Sequence, residues 1–157
     1  MAENLFPEEE LEITAEELDD EEDEPVGYLS SVYFDEDTGD FARDGQFRLK
    51  SATGLEAWEQ WCINCLMTEK GAYPAYGDGF GIATIEAFAS DSREESESIL
   101  TLEITEALMN DPYGRTEYVE EIEFNWINGD ALEITVTVRG IADATIDITV
   151  TIDQRGR

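Results

Sequence analysis

The sequence predicts an α+β fold: a small antiparallel sheet, built from an N-terminal hairpin and a C-terminal three-stranded meander, covered by two main helices. Three observations lead there. In the last third of the chain, Ile122, Phe124 and Trp126, then Leu132, Ile134, Val136 and Val138, then Ala144, Ile146, Ile148, Val150 and Ile152 alternate with polar residues. That is the period of strands with one buried face. Two upstream segments repeat apolar residues at three- and four-residue spacing, as helices buried on one side do. A sheet that is greasy on one face only has to be closed by such helices.

In chain order, Met1 to Pro25 holds thirteen of the 39 acidic residues and none of the nine basic ones. A segment so charged cannot bury enough surface to order itself. Residues 1–26 therefore read as an acidic arm, disordered or bound to a partner, ahead of a domain at 27–153 and a short tail at 154–157. Leu5, Phe6 and Pro7 form an apolar island within the arm, followed by Leu11 and Ile13. Two readings stand: a solubilising extension, or an anchor peptide with Phe6 in a neighbour's pocket.

Tyr28 to Phe34 reads as a strand, and Asp35 to Asp40 as the turn into a second strand, or pair of short strands, ending near Leu49. The acids of this turn suggest a calcium loop only superficially. Gly39 stands where a third ligand belongs and Gln46 where the bidentate acid belongs, so no metal is expected.

Thr53 with Glu56 three residues on has the form of a capping box. In the helix it opens, Leu55, Trp58, Trp61, Cys62, Cys65 and Leu66 fall on one face. Gly71 and Pro74 stop that helix. Between Lys70 and Gly81 four glycines are interspersed with Tyr73, Pro74, Tyr76 and Phe80, too glycine-rich for a helix or strand and too aromatic for a passive solvated turn. Large rigid groups of this kind dominate interfaces, and Glu69, Lys70, Tyr73, Pro74, Tyr76 and Phe80 are the expected partner contacts. Ile82 to Ala89 reads equally as a short helix or an extended segment. Asp91 or Ser92 then caps the second main helix, with Glu94 or Glu95 in reciprocal position and Leu100, Ile104, Ala107 and Leu108 as its inward stripe. Pro112 and Gly114 end it, and Asn128-Gly129 marks a hairpin turn in the meander.

Composition removes several function classes. A formal charge of −30 repels phosphates and anionic lipid, which sets aside direct binding to nucleic acid or a membrane surface. No apolar run approaches the ~20 residues that span a bilayer, and the N-terminus has neither a basic residue nor an apolar signal core, so a soluble, non-secreted protein is expected. There is no histidine, hence no Ser-His or Cys-His pair and no imidazole ligand. Trp61-Cys62-Ile63-Asn64-Cys65 has the spacing of a redox motif, but a reactive thiol needs a helix N-terminus. This pair lies two turns inside a capped helix, on its buried stripe, and reads as core. Gly77 to Gly81 lacks the strand, lysine and capped helix of a phosphate cradle. Among 39 acids, a carboxylate pair at glycosidase separation has no specificity. No catalytic, cofactor-binding or metal residue is assigned, and an enzyme is not expected. The alternative that composition suggests is an acidic DNA mimic occupying basic clefts, which would want ordered rows of carboxylates on the folded surface rather than in an arm.

Taken together, the run Asp35 to Asp44, Gly54-Leu55-Glu56-Ala57 with Gln60-Trp61, the helix end Thr68-Glu69-Lys70, the loop Tyr73-Pro74-Ala75-Tyr76-Gly77 and the all-β last third resemble a known group in order and spacing. They are similar, over Tyr28 to Ile152, to the gene 25-like lysozyme family of phage tail baseplate wedge proteins, in particular the branch from contractile tails and tail-like particles of Gram-positive bacteria. The acidic arm beginning Asn4-Leu5-Phe6-Pro7 is similar too. Other branches carry Glu-Pro-Arg or Gly-Glu-Arg near the helix end, whereas here Lys70 follows Glu69 and Tyr73 precedes Pro74. The resemblance implies a structural, non-enzymatic role as sheath initiator in the virion baseplate, assembled in the host cytoplasm with six copies per baseplate. The implied partners are the larger wedge subunit, the tail sheath protein, and hub or tube proteins.

The resemblance also implies a use for the last strand. Most sheet edges are blunted by Lys, Pro or a bulge, but Ala144 to Ile152 contains no Lys, Pro or Gly. Terminal arms of sheath subunits would extend it by strand addition, with Thr145, Asp147, Thr149 and Thr151 facing the sheath. Asp143 and Asp147 would limit pairing between free copies by like-charge repulsion.

Overall fold

Residues 27–35 and 37–153 are described by a computed structural model; the acidic arm, with Leu5, Phe6 and Pro7, and the tail at 154–157 lie outside them. The alternating last third forms β5 (Thr116–Trp126), β6 (Ala131–Gly140) and β7 (Thr145–Asp153), antiparallel in the order β5-β6-β7. Register places Phe124, Ile134 and Val150 in one row, and Ile122, Val136 and Ile148 in the next. Leu132, Ile134, Val136 and Val138 are fully buried. The central strand thus carries the core, as expected of a strand with neighbours on both sides and helices above. A two-residue turn joins β6 to β7 through Ala142 and Asp143, both at positive φ (54° and 56°). This is the backbone of a tight hairpin turn that usually recruits Asn-Gly.

Two helices cover the apolar face. In α1 (Gly54–Met67) the capping box forms as expected, Glu56 accepting from the Thr53 amide at 2.7 Å and hydroxyl at 2.8 Å. These two bonds hold the Glu56 carboxyl below its ordinary range. Trp58, Cys62, Cys65 and Leu66 are buried along β7, and the Trp58 indole donates to Thr116 Oγ1 at 3.0 Å. In α3 (Arg93–Met109), Ser92 is the cap, accepting from the Glu95 amide at 3.2 Å, and Leu100, Ile104, Ala107 and Leu108 are buried, with the helix packed along β5. The ambiguous stretch after the aromatic loop is both things at once. Ile82 bridges to Glu69 as an extended residue, and α2 (Thr84–Phe88) follows. Among the described residues no helix is long and apolar enough to cross a membrane.

Three expectations need correcting. The strand read over Tyr28–Phe34 is broken: β1 (Ser31–Val32) pairs with β4 (Ser51–Ala52), while β2 (Phe34–Asp35) pairs with β3 (Asp40–Phe41). The acid-rich turns are the cause. Asp35 accepts from the Asp37 amide at 3.0 Å, Asp44 accepts from Gln46 and Arg48 at 2.8 and 2.9 Å, and Phe47 sits at φ 60°. Side chains thereby take over amides that would continue a ladder. The N-terminal ladders are also separate from the meander rather than strands of it. Finally, Leu55 is 43 % exposed and Trp61 only half-buried, because the sheet covers the arc of α1 centred on Trp58, Cys62 and Cys65 and leaves both flanks free.

The start of the domain is pinned to the meander by one residue. The Tyr28 hydroxyl donates to the Ile141 carbonyl at 2.7 Å, and its ring lies 5.3 Å from that of Trp58. Gly140 makes room for this contact, since a Cβ there would overlap the Tyr28 hydroxyl and the Trp58 ring.

Candidate partner interface

Two surfaces stand out, and local sequence explains each. The first is the outer edge of the meander. β7 has β6 on one side and, among the described residues, no strand on the other. Its pairing with β6 runs unbroken from Arg139 with Thr145 to Ala131 with Asp153, whereas the opposite edge strand, β5, has register shifts between Thr116 and Tyr118 and between Val119 and Glu121. Bulges bend and blunt an edge. Only the β7 edge keeps a straight row of main-chain groups. Thr145, Asp147, Thr149 and Thr151 are all exposed on the outer face, where Thr149 lies 3.2 Å from Thr135 and Asp147 accepts from Thr137 at 2.8 Å. These side chains tie β7 to β6. On the same face Arg139 donates to Glu120 and holds that carboxyl below its ordinary range.

The second surface is the loop after α1. Glu69 and Lys70 are engaged within the chain. The Glu69 carboxylate accepts from the Thr84 and Ile85 amides at 3.0 and 3.3 Å and from the Thr84 hydroxyl, serving the exposed amides that begin α2. Lys70 pairs with Glu103 at 3.1 Å, which raises the lysine's pKa, and its amide bonds the Ile82 carbonyl. These two residues close the ends of the loop. What the loop presents is aromatic: Tyr73 and Tyr76 are 59 % and 52 % exposed, Pro74 is exposed and Phe80 is half-buried. The rings form a chain, with centroids 5.9 Å apart from Tyr73 to Tyr76, 4.4 Å from Tyr76 to Phe80 and 6.0 Å from Phe80 to Trp61.

Tyr76 stands between two grooves. One, of about 580 Å³, is walled by Trp61, Phe80, Asn64, Asn110 and Pro112. The other, of about 500 Å³, reaches to Phe34, Phe41 and Tyr73. Beneath the first, the buried Arg115 guanidinium meets Asp111 in two parallel bonds at 2.8 Å and lies 5.6 Å from the Trp61 ring centre and 5.0 Å from that of Tyr113. Sequence reasoning assigned Trp61 to the core and did not find Asn64, Asn110 or Pro112. The available signal was the run Asn110-Asp111-Pro112-Tyr113, a proline and an aromatic set directly after a helix.

The cysteines do what the buried stripe predicts. Both are free and buried, burial raises both thiols above their ordinary range, Cys62 the more strongly, and the Gly81 amide donates to Cys65 Sγ at 3.5 Å. Held neutral and buried, neither thiol has the thiolate character that a reactive cysteine requires.

A family model for contractile injection system sheath initiators matches residues 30–143, from just before β1 to the turn between β6 and β7. The chain belongs to the contractile injection system sheath initiator family. No curated protein matches it. As a sheath initiator it has a structural role tied to the sheath of a phage tail or tail-like particle, in association with tail sheath and baseplate components. The DNA-mimic alternative is left without support.

Proposed function

We propose that this sheath initiator links the baseplate wedge to the first sheath ring and templates the sheath by strand addition along β7. The observation that carries the reading is the contrast between the meander's edges. β7 offers nine residues in unbroken register and β5 does not. Main-chain bonds to that edge would give affinity, and the alternation of its side chains would fix the face of the incoming strand.

In this reading Tyr73, Pro74, Tyr76 and Phe80 dock against the larger wedge subunit, Glu69 and Lys70 hold the loop in shape, and Leu5, Phe6 and Pro7 anchor the arm. The folded wedge domain spans 27–153. Six copies per baseplate, contacts with hub or tube proteins, assembly in the host cytoplasm and a role without catalysis complete the proposal, in a particle of the Gram-positive branch.

Successive residues of a strand direct their amides to opposite sides. Of Ile148 and Thr149, therefore, one amide serves the β6 ladder and the other the free edge. A proline at each position, with folding checked by circular dichroism, separates the two effects. The folded variant is expected to enter baseplates that remain bare of sheath. Full-length sheaths seeded by that variant would overturn strand addition.

A further inference from the structure

The free edge of β7 ends in a small depression of about 130 Å³. It is walled by Leu66 and Met67 from the last turn of α1, Glu69 just after it, Thr84 and Ile85 from the start of α2, and Thr151, Ile152 and Asp153 from β7, with the Glu69 carboxylate turned to the Thr84 and Ile85 amides. Thr151 points to the outer face of the sheet and Ile152 to the inner one, and no residue of β6 takes part. The depression therefore opens across the edge that has no neighbouring strand among the described residues. Two apolar side chains on its rim remain in water, Met67 at 48 % and Ile85 at 72 % exposure. The volume is on the order of that which accepts one benzene-sized group, hence a single branched aliphatic or aromatic side chain.

Strand addition alone leaves a physical problem. Main-chain hydrogen bonds repeat every two residues, so an incoming strand finds equivalent pairing after a slip of two, and a slip of one turns its inward side chains outward. A sheath ring set at one height and rotation needs one register. A strand laid beside β7 directs every second side chain to the face of Val150 and Ile152, beneath α1, and its residue beside Ile152 meets the depression. We propose that this depression is a register socket: it receives one aliphatic or aromatic side chain from a terminal arm of the sheath subunit and selects one alignment from the degenerate set. The inference rests on the strand-addition reading above and adds the determinant that this reading lacks.

The occupant is an arm of the sheath subunit rather than a second copy of this chain. Pairing two β7 edges would bring Asp147 of one copy against the acidic outer face of the other, on domains already carrying 26 acidic against nine basic residues outside the arm. Like charges across paired strands are unfavourable. An arm that alternates apolar residues with neutral or basic ones meets the acidic outer face without that cost.

The test uses the full chain and peptides of roughly ten residues tiling both termini of the particle's own sheath protein. Amide hydrogen exchange along β7 reports strand addition, and binding affinity reports the socket. One peptide is expected to protect the β7 amides, to bind roughly tenfold more weakly once its socket residue becomes Asp, and to lose a similar factor against Ile85→Ser, the two losses failing to add. Ile85 is exposed, so that variant keeps its fold, and Met67→Ser serves as a second probe. A peptide that protects β7 yet binds both variants as tightly as the parent overturns the socket while strand addition stands. Peptides that never protect β7 overturn strand addition and the socket together.

Discussion

Arg115 and Asp111 show how much a single pair can decide. Both side chains are almost wholly buried, and removing one partner of such a pair leaves an uncompensated charge in a low-dielectric site, at a cost of about 3–5 kcal/mol. Arg115→Met is expected to lose about that much in denaturant titration, and adding Asp111→Asn, which removes the charge and keeps an acceptor for the Tyr113 and Arg115 amides, should restore part of it. Because the guanidinium also supports the rings of Trp61 and Tyr113, the single variant should disturb near-ultraviolet circular dichroism as well. Cys62 and Cys65 carry the opposite lesson, since they matter by remaining neutral. Their pKa values are raised in the fold, mainly by burial, so their contribution is complete below the ordinary thiol value of about 8.5 and is lost as pH rises above it. Stability should therefore fall progressively on the alkaline side. The double variant Cys62→Ala, Cys65→Ala should lose about 1–3 kcal/mol of packing at neutral pH, show a flatter alkaline decline, and assemble into particles regardless of redox conditions.

Among the elements, the aromatic loop separates into a structural half and a presented half. Phe80 leans on Trp61 and is half-buried, whereas Tyr73 touches mainly Tyr76 and is exposed. Tyr73→Ala is accordingly expected to leave the melting temperature within a degree or two while weakening co-purification with the larger wedge subunit. Phe80→Ala should lower both. A large fall in melting temperature for Tyr73→Ala with unchanged co-purification would return that ring to the core. The β6–β7 turn holds a different kind of information. Ala142 occupies the left-handed region, which costs a non-glycine residue roughly 1–2 kcal/mol, offset in a glycine by about 0.5–1 kcal/mol of extra chain entropy. Ala142→Gly should thus stabilise the domain by about 0.5–1 kcal/mol in chemical denaturation.

For the whole molecule the dominant quantity is charge. Thirteen of 39 carboxylates lie in the first 25 residues, ahead of the anchor that Tyr28 makes on Ile141. A chain beginning at residue 27 keeps that anchor and the core formed by the described residues, and it is expected to melt within a few degrees of the full chain. If the arm docks through Leu5, Phe6 and Pro7, the truncated chain should enter particles poorly and the full chain should enter less well at high salt, where opposite charges attract less. Equal incorporation at every salt concentration would reduce the arm to a solubilising role.

The sequence by itself determined the elements whose signals are local. Period-two alternation gave three strands, Thr53 with Glu56, and Asp91 or Ser92 with Glu94 or Glu95, gave two capped helices, and the missing histidine removed imidazole chemistry. Each of these depends on residues a few positions apart, whose geometry is set by the backbone period itself. It did not reveal that Trp61 lies at the margin of the core against Phe80, because that depends on Asn110, Pro112 and Arg115 arriving from the far end of another helix. Nor did it reveal that Glu69 and Lys70 are occupied by Thr84 and Glu103, or that Leu66, Met67 and Ile85 gather at the free edge of β7. A polar or apolar residue at a helix end is read from sequence as exposed or buried according to its own pattern, whereas its actual surroundings are assembled from segments tens of residues away. Only the tertiary structure could decide which apolar residues the described domain buries and which it leaves exposed.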